Sequence, residues 1–387
     1  MRHNGAVADE RGEDDLRTVT ETVRLFDAQR PLTLRSGAIL TEVDVAFETY
    51  GTLNPSHSNA VFICHALTGD AHAAGARAGD RRPGWWDTMI GPGKPVDTDT
   101  WFVVCANLLG GCQGTTGPSS VNPVTREPYG LDFPLLDMSD FVTVHRALGE
   151  RLGVRRWAAV MGGSLGGMQV LQWMLEYPED AGNAIILAGS SRLTAQNIAF
   201  SAVGRQAIMR DSGFRGGRFL SEGTSPRKGL AVARMMAHIT YLSEDGFQAK
   251  FGREAQSGEL GHQFGVDFAV ESYLEHQGNS FLARFDALSY LYLTRVMDYF
   301  DPFAEPDALD VLAAHPVKFL VMSFDTDWRF STEHSRRIVR HLEGARIPTA
   351  FREITSPWGH DSFLLALPDY HDTISAFLER AATEVMG

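Results

Sequence analysis

Cysteine is scarce: Cys64, Cys105 and Cys112 are the only three in 387 residues. So few, and an odd number, cannot build a disulfide framework, which points to a reducing compartment that we read as the cytoplasm. Long apolar runs are missing too, since nowhere do the ~18 apolar residues that a membrane-spanning helix needs stand together. The first 21 residues set three arginines against six acids and lack the apolar stretch of a secretory signal. Positive charge is outweighed: 35 Lys and Arg face 48 Asp and Glu, a formal net charge of −13. Such a surface repels phosphate backbones and anionic lipid headgroups, so neither nucleic acid nor a membrane is an expected partner. No internal repeat stands out, and the 38 glycines and 17 prolines fall in separate turn-like clusters without a collagen-like period.

What is present is a globular composition, 44% hydrophobic and 21% charged, in a chain long enough for one large or two smaller domains. Residues 1–20 are polar and aperiodic and are expected to form a mobile tail, with order beginning near Val23. Short apolar runs at 43–47, 60–64, 101–106, 157–161, 184–187, 317–323 and 349–354 then alternate with helical-length patterns. Nearly unbroken, β-branched runs suit strands covered on both faces, so the expected fold is α/β with a mostly parallel central sheet. The strand rhythm lapses over 191–315, where helix-like stretches at 229–242 and 281–299 stand among polar turns. This divides the chain into a core, 21–190 with 316–387, and a helical insert. Ligands of open α/β sheets bind beyond the carboxyl ends of the strands, so an insert after one strand is placed to cap that crevice or to join two copies.

The sharpest signal is Trp157-Ala158-Ala159-Val160-Met161-Gly162-Gly163-Ser164-Leu165-Gly166-Gly167-Met168: an apolar strand, a G-x-S-x-G turn, then a helical pattern. A serine at such a turn takes a strained backbone, and its small neighbours let strand and helix approach while the hydroxyl projects outward. A hydroxyl becomes a nucleophile when a base takes its proton, and in this architecture an acid and then a histidine follow the serine in sequence. Asp325 and Asp327 both follow the run 317–323, and either could orient a histidine. His360 follows the run 349–354, in a loop that leads into an apolar helical pattern. Oxyanion donors are expected from the amide of Leu165, just after the nucleophile, and from that of Leu67, in the loop after 60–64. His65 and His72 lack the short paired spacing of a zinc motif, so no metal or other cofactor is expected. The glycine-rich stretch 110–117 has neither a G-K-[ST] ending nor G-x-G-x-x-G spacing, and is expected to be a tight loop lining the pocket.

Several segments between residue 43 and about 377 resemble the homoserine O-acyltransferases of methionine biosynthesis, a branch of the α/β-hydrolase fold. They are His-Ala-Leu-Thr-Gly at 65–69, Gly-Trp-Trp-Asp at 84–87, Ile-Gly-Pro-Gly-Lys-Pro at 90–95, Asn-Leu-Leu-Gly-Gly-Cys-Gln-Gly-Thr-Thr-Gly-Pro-Ser-Ser at 107–120, Gly-Gly-Ser-Leu-Gly-Gly-Met at 162–168 and Phe-Ala-Val-Glu-Ser-Tyr-Leu at 268–274. The resemblance selects Asp327 as the acid and implies a cytoplasmic homodimer whose insert builds the interface. It further implies that Arg234, Tyr241 and Asp361 grip L-homoserine. A zwitterion needs a cation for its carboxylate and an anion for its ammonium, and the spacing of seven puts Arg234 and Tyr241 on one helical face, with His238. For the donor, succinyl-transferring relatives carry an arginine where Arg329 stands, whereas acetyl-transferring ones commonly carry an apolar residue. Succinyl-CoA is therefore the expected acyl donor and co-substrate, with acetyl-CoA the alternative. Serine as acceptor, simple ester or thioester hydrolysis, and a non-catalytic binding scaffold are the competing readings.

Overall fold

The apolar runs become strands because protein covers both of their faces. In the computed structural model, which describes residues 18–80, 82–262 and 264–386, β1 (Glu21–Phe26) is followed by a two-residue ribbon of β2 (Leu32–Thr33) and β3 (Ile39–Leu40). β4 (Val43–Tyr50) and β5 (Ala60–Cys64) come next, and a second ribbon, β6 (Ile90–Gly91) with β7 (Val96–Asp97), precedes β8 (Phe102–Ala106) and α1 (Met138–Arg151). Then come β9 (Trp157–Gly163), α2 (Leu165–Glu176) and β10 (Ala181–Leu187). Helices α3 (Ala195–Arg210), α4 (Arg227–Tyr241), α5 (Glu244–Phe251), α6 (Ala269–Phe281), α7 (Ala287–Tyr299) and α8 (Asp310–Ala313) separate β10 from β11 (Lys318–Phe324). The chain continues through α9 (Thr332–Gly344), β12 (Thr349–Ile354) and α10 (Pro368–Met386).

Eight strands form the main sheet in the order β1-β4-β8-β5-β9-β10-β11-β12. β4 runs antiparallel to both neighbours, and the strands from β8 to β12 are parallel. This is the α/β-hydrolase arrangement with a mostly parallel sheet. The chain steps from β5 to β8 on one side and then returns to β9 on the other, so the order reverses at β5 and a crevice opens beyond the carboxyl ends. Register aligns those ends, with Cys64 opposite Gly162 and Leu187 opposite Gly163.

Alternate side chains enter two cores. Phe62, Val104, Val160 and Ile186 face one that includes Phe141 of α1, Trp173 of α2 and insert residues such as Leu230 and Leu288. Val61, Ile63, Val103 and Met161 face another, with Trp86, Trp101 and the α10 residues Tyr370, Ile374 and Leu378. Within the insert, α3 and α6 pack against α4 and α3 also contacts α7, where a buried ion pair joins Arg205 to Asp298 at 2.6 Å.

Two details depart from the sequence reading. The stretch 281–299 is broken, because Asp286 accepts from the Leu288 amide at 2.8 Å and caps a new helix. β1, which has no apolar run, begins at Glu21 by pairing with β4. The expected mobile tail largely lies outside the described residues. Within its described end, Thr20 donates to the buried Glu48 carboxylate at 2.7 Å.

Candidate active site

β9 continues through Gly162 and Gly163, and Ser164 then turns the chain into α2 with φ 58° and ψ −121°. A non-glycine residue held there costs about 1–3 kcal/mol. Close packing imposes it: a Cβ on Gly166 would lie 2.0 Å from the Cys64 carbonyl oxygen, and one on Gly162 would lie 2.6 Å from the Gly166 carbonyl carbon. Only hydrogens at 162 and 166 let α2 start against the end of β5. The Ser164 amide donates to the Leu187 carbonyl at 2.9 Å, which ties the turn to β10.

His360 lies in a short helical turn, Gly359–Leu364, with Nε2 2.8 Å from Ser164 Oγ and Nδ1 2.7 Å from Asp327 Oδ2. A carboxylate can only accept, so Nδ1 carries the proton and Nε2 offers its lone pair to the serine. The other Asp327 oxygen accepts from the amides of Arg329 at 2.9 Å and Phe330 at 2.8 Å, which fixes the carboxylate plane. Asp325 instead accepts from the Ser356 amide at 2.9 Å and braces the loop before His360. Rings of Phe330, Phe363 and Tyr241 surround the imidazole at 5.1, 5.7 and 6.1 Å.

Beside Ser164 opens a cavity of about 420 Å³, lined by residues of the 66–72 loop, of the insert and of the loops after β11 and β12. Leu67, Arg234, His238, Tyr241, Arg329 and Asp361 all contribute to its wall, and Leu165 is buried beneath Ser164. Arg234 donates to Thr68 Oγ1 at 3.2 Å and lies over the Phe281 ring. Burial pushes the Asp361 carboxyl up to about 6, against the opposing pull of His360 and Arg234. Burial, then the charges of Arg234, Arg284 and Lys250, push His238 down to about 3, so it is neutral near pH 7.

Arg329 is 6% exposed and donates to Thr240 Oγ1 at 2.7 Å, between the rings of Tyr241 and Phe330. No carboxylate pairs with its guanidinium among the described residues; Asp325 is used as above, and Glu333 pairs with Arg340. Two cations of this pocket, Arg82 and Arg284, had no sequence signal. Arg284, between α6 and α7, donates to the Thr68 carbonyl at 2.8 Å across a separation of 216 residues.

The glycine-rich stretch does not line this cavity, contrary to expectation. Its Thr115 and Thr116 hydroxyls instead accept from the Ala46 and Asp44 amides at 3.0 and 2.9 Å, stapling the loop to β4. His65 and His72 are also separately employed. His65 bonds backbone, whereas His72 Nδ1 is 2.9 Å from Glu48 Oε2. Burial alone would raise the Glu48 carboxyl, but bonds from His72, Thr20 and Arg77 hold it at about 2. Among the described residues no group of three or more His, Cys, Asp or Glu could hold a metal ion.

The alpha/beta hydrolase fold family matches residues 59–367. A relative from Nocardioides sp., named homoserine O-succinyltransferase, is 54% identical over 359 residues, covering 93% of this chain and 97% of its own. Among solved structures, a homoserine O-acetyltransferase from Bacillus anthracis matches with a TM-score of 0.85 and 27% identity, over 94% of this chain and 98% of that one. An esterase matches with a TM-score of 0.84 and 28% identity, over 93% of this chain and 100% of that one.

Proposed function

The chain belongs to the homoserine O-acyltransferase family of the α/β-hydrolase fold, and from that premise we propose that it moves a succinyl group from succinyl-CoA to L-homoserine through an acyl-serine, within methionine biosynthesis. One observation carries the reading: the hydrogen-bonded path Ser164–His360–Asp327 opens on the same cavity as an arginine, Arg329, that no described carboxylate neutralises. In the first half, His360 Nε2 takes the Ser164 proton and Oγ bonds to the thioester carbon, while the carbonyl electron pair moves onto oxygen. The Leu67 and Leu165 amides receive that oxyanion, next to the positive N-terminus of α2. Collapse breaks the C–S bond, and His360 returns the proton to the sulfur of departing CoA.

Homoserine then takes the vacated space, its carboxylate on Arg234 and its ammonium toward Asp361, with Tyr241 beside them. His360 removes the proton of its side-chain hydroxyl, the new C–O bond forms, and Ser164 Oγ leaves with that proton. Arg329 receives the distal carboxylate of the succinyl group. A charge-assisted hydrogen bond of about 1.5–3 kcal/mol would favour succinyl over acetyl roughly ten- to hundredfold. The insert caps the cavity and so favours transfer over attack by water.

The test is the purified chain supplied with succinyl-CoA or acetyl-CoA against homoserine or serine, with product masses measured. O-succinylhomoserine should dominate, Ser164→Ala should abolish it, and Arg329→Leu should cut the succinyl-to-acetyl ratio by about ten- to hundredfold. An unchanged ratio removes the role of Arg329, and full turnover by Ser164→Ala removes the acyl-serine. A hydrolytic reading draws support from the match to an esterase; it requires fast succinyl-CoA consumption with no acceptor present.

Two copies are expected to pair through the insert, where Val203, Met209, Val232 and Ile239 leave apolar side chains in solvent on α3 and α4. A cytoplasmic setting fits the three free cysteines. No described helix is long and apolar enough to cross a membrane.

A further inference from the structure

Gln169 on α2 is fully buried with Val170 and Leu171 beside it, a position where methionine would pack without any polar group to satisfy. All of its amide is used. Nε2 donates to the His65 carbonyl at 3.0 Å and to the Leu165 carbonyl at 3.3 Å, while Oε1 lies 3.0 Å from His145 Nε2. Those carbonyls belong to the two segments that would supply the oxyanion amides, one at the nucleophile turn and one in the loop after β5.

The loop side is fixed one peptide further along. The Ala66 carbonyl accepts from the Gly69 amide at 2.9 Å and lies 2.7 Å from His65 Nδ1. His65 Nε2 accepts from the Leu108 amide at 3.1 Å, which leaves the ring proton on Nδ1. A peptide's carbonyl and N–H point in opposite directions, so holding the Ala66 oxygen also sets the direction of the Leu67 N–H. Burial lowers His145 to about 4. It is therefore neutral near pH 7, and its Nε2–H can donate to Gln169 Oε1. Its Nδ1 has no partner among the described residues. The two carbonyls decide which way the glutamine faces, because the flipped amide would set its oxygen against them, and that orientation selects the Nε2–H tautomer of His145, which ties down Oε1.

We propose that Gln169 is a positioning residue for acyl transfer: its single amide ties the two halves of the oxyanion hole to each other, and His145 anchors the oxygen of that amide. The inference rests on the reaction proposed above. It places a determinant of rate on the far side of the backbone from the substrate, where neither CoA nor homoserine touches it.

Gln169→Met keeps the length and removes both donors, whereas Gln169→Glu keeps the shape and presents oxygen to the two carbonyls. Both would be made in the full chain and compared by single-turnover acylation with succinyl-CoA, by KM for each substrate, and by affinity for an alkyl boronic acid that forms a tetrahedral adduct on serine. Removal of an oxyanion donor costs about a hundred- to thousandfold, and misplacing one costs less, so acylation by Gln169→Met should fall about ten- to hundredfold. Boronate affinity should fall in parallel, with both KM values within about threefold of the parent, since uniform binding is untouched. Gln169→Glu should be at least as slow. Acylation by Gln169→Met within about twofold of the parent, or a loss confined to KM with boronate affinity intact, overturns the proposal. If Gln169→Met does not fold, His145→Asn decides instead: slowed acylation with weakened boronate binding supports the brace, and parental values for both overturn it. Parent enzyme that forms O-succinylhomoserine while the variants match it defeats this inference alone; parent enzyme that forms none defeats the reaction itself.

Discussion

Asp361 bears a cost of folding that a bound cation would further offset. Burial raises its carboxyl from 3.8 to about 6, so between about pH 4 and 6 the folded chain retains a proton that the unfolded chain releases. Stability from this group therefore falls as pH rises through that window, and the full penalty applies above it. Asp361→Asn should stabilise the protein at pH 7.5 by on the order of 1–3 kcal/mol in urea unfolding, and by almost nothing at pH 3.5. The same change should raise KM for homoserine about ten- to hundredfold while leaving acylation by succinyl-CoA near the parent rate. Below about pH 6 the parent should lose homoserine affinity in the same direction, as its carboxylate protonates. At this scale the sequence distinguished roles by chemistry but not by aim. Asp325 and Asp327 were equivalent on residues alone, and their hydrogen bonds separate them: one faces the Ser356 amide and the other His360.

The element that matters most is the β9–turn–α2 unit. Its strand, small residues and helix could be read directly, because each is a local pattern and the strained serine demands that local context. What the pattern did not state is the partner, the end of β5. Gly166→Ala should destabilise the fold by about 2–4 kcal/mol and remove most activity, since its Cβ would sit 2.0 Å from the Cys64 oxygen and neither backbone can yield. Gly344→Ala at the end of α9 is the matched control, because its Cβ meets nothing within 4 Å. It should be neutral or stabilising by up to about 1 kcal/mol. Denaturant midpoints and kcat for the pair separate close approach from a general intolerance of added methyl groups. Elements that depend on distant partners were harder to read: β1 owes its strand form to β4, and α6 and α7 are divided by one capping aspartate.

For the whole molecule, the insert has two faces with different consequences. Its inner side brings Arg234, Tyr241 and Arg284 to the cavity, and its outer side leaves Val232 and Ile239 on α4 exposed. Sedimentation of the parent should give a dimer. Val232→Glu with Ile239→Glu should shift it toward monomer, because burying two unpaired charges opposes association by several kcal/mol. A parent that sediments as a monomer would refute the pairing.

The order of serine, acid and histidine and the mostly parallel sheet are properties of a one-dimensional pattern, because strands covered on both faces and strained turns demand particular residues locally. The sequence by itself determined those. Tertiary structure alone decided that Arg284 reaches back to Thr68, that the glycine-rich loop staples β4 and leaves the cavity to other residues, and that Gln169 spans two backbone segments. Each of these is a hydrogen bond between groups remote in the chain, and a lone arginine, threonine or glutamine carries no sequence mark of the carbonyl or amide it will meet.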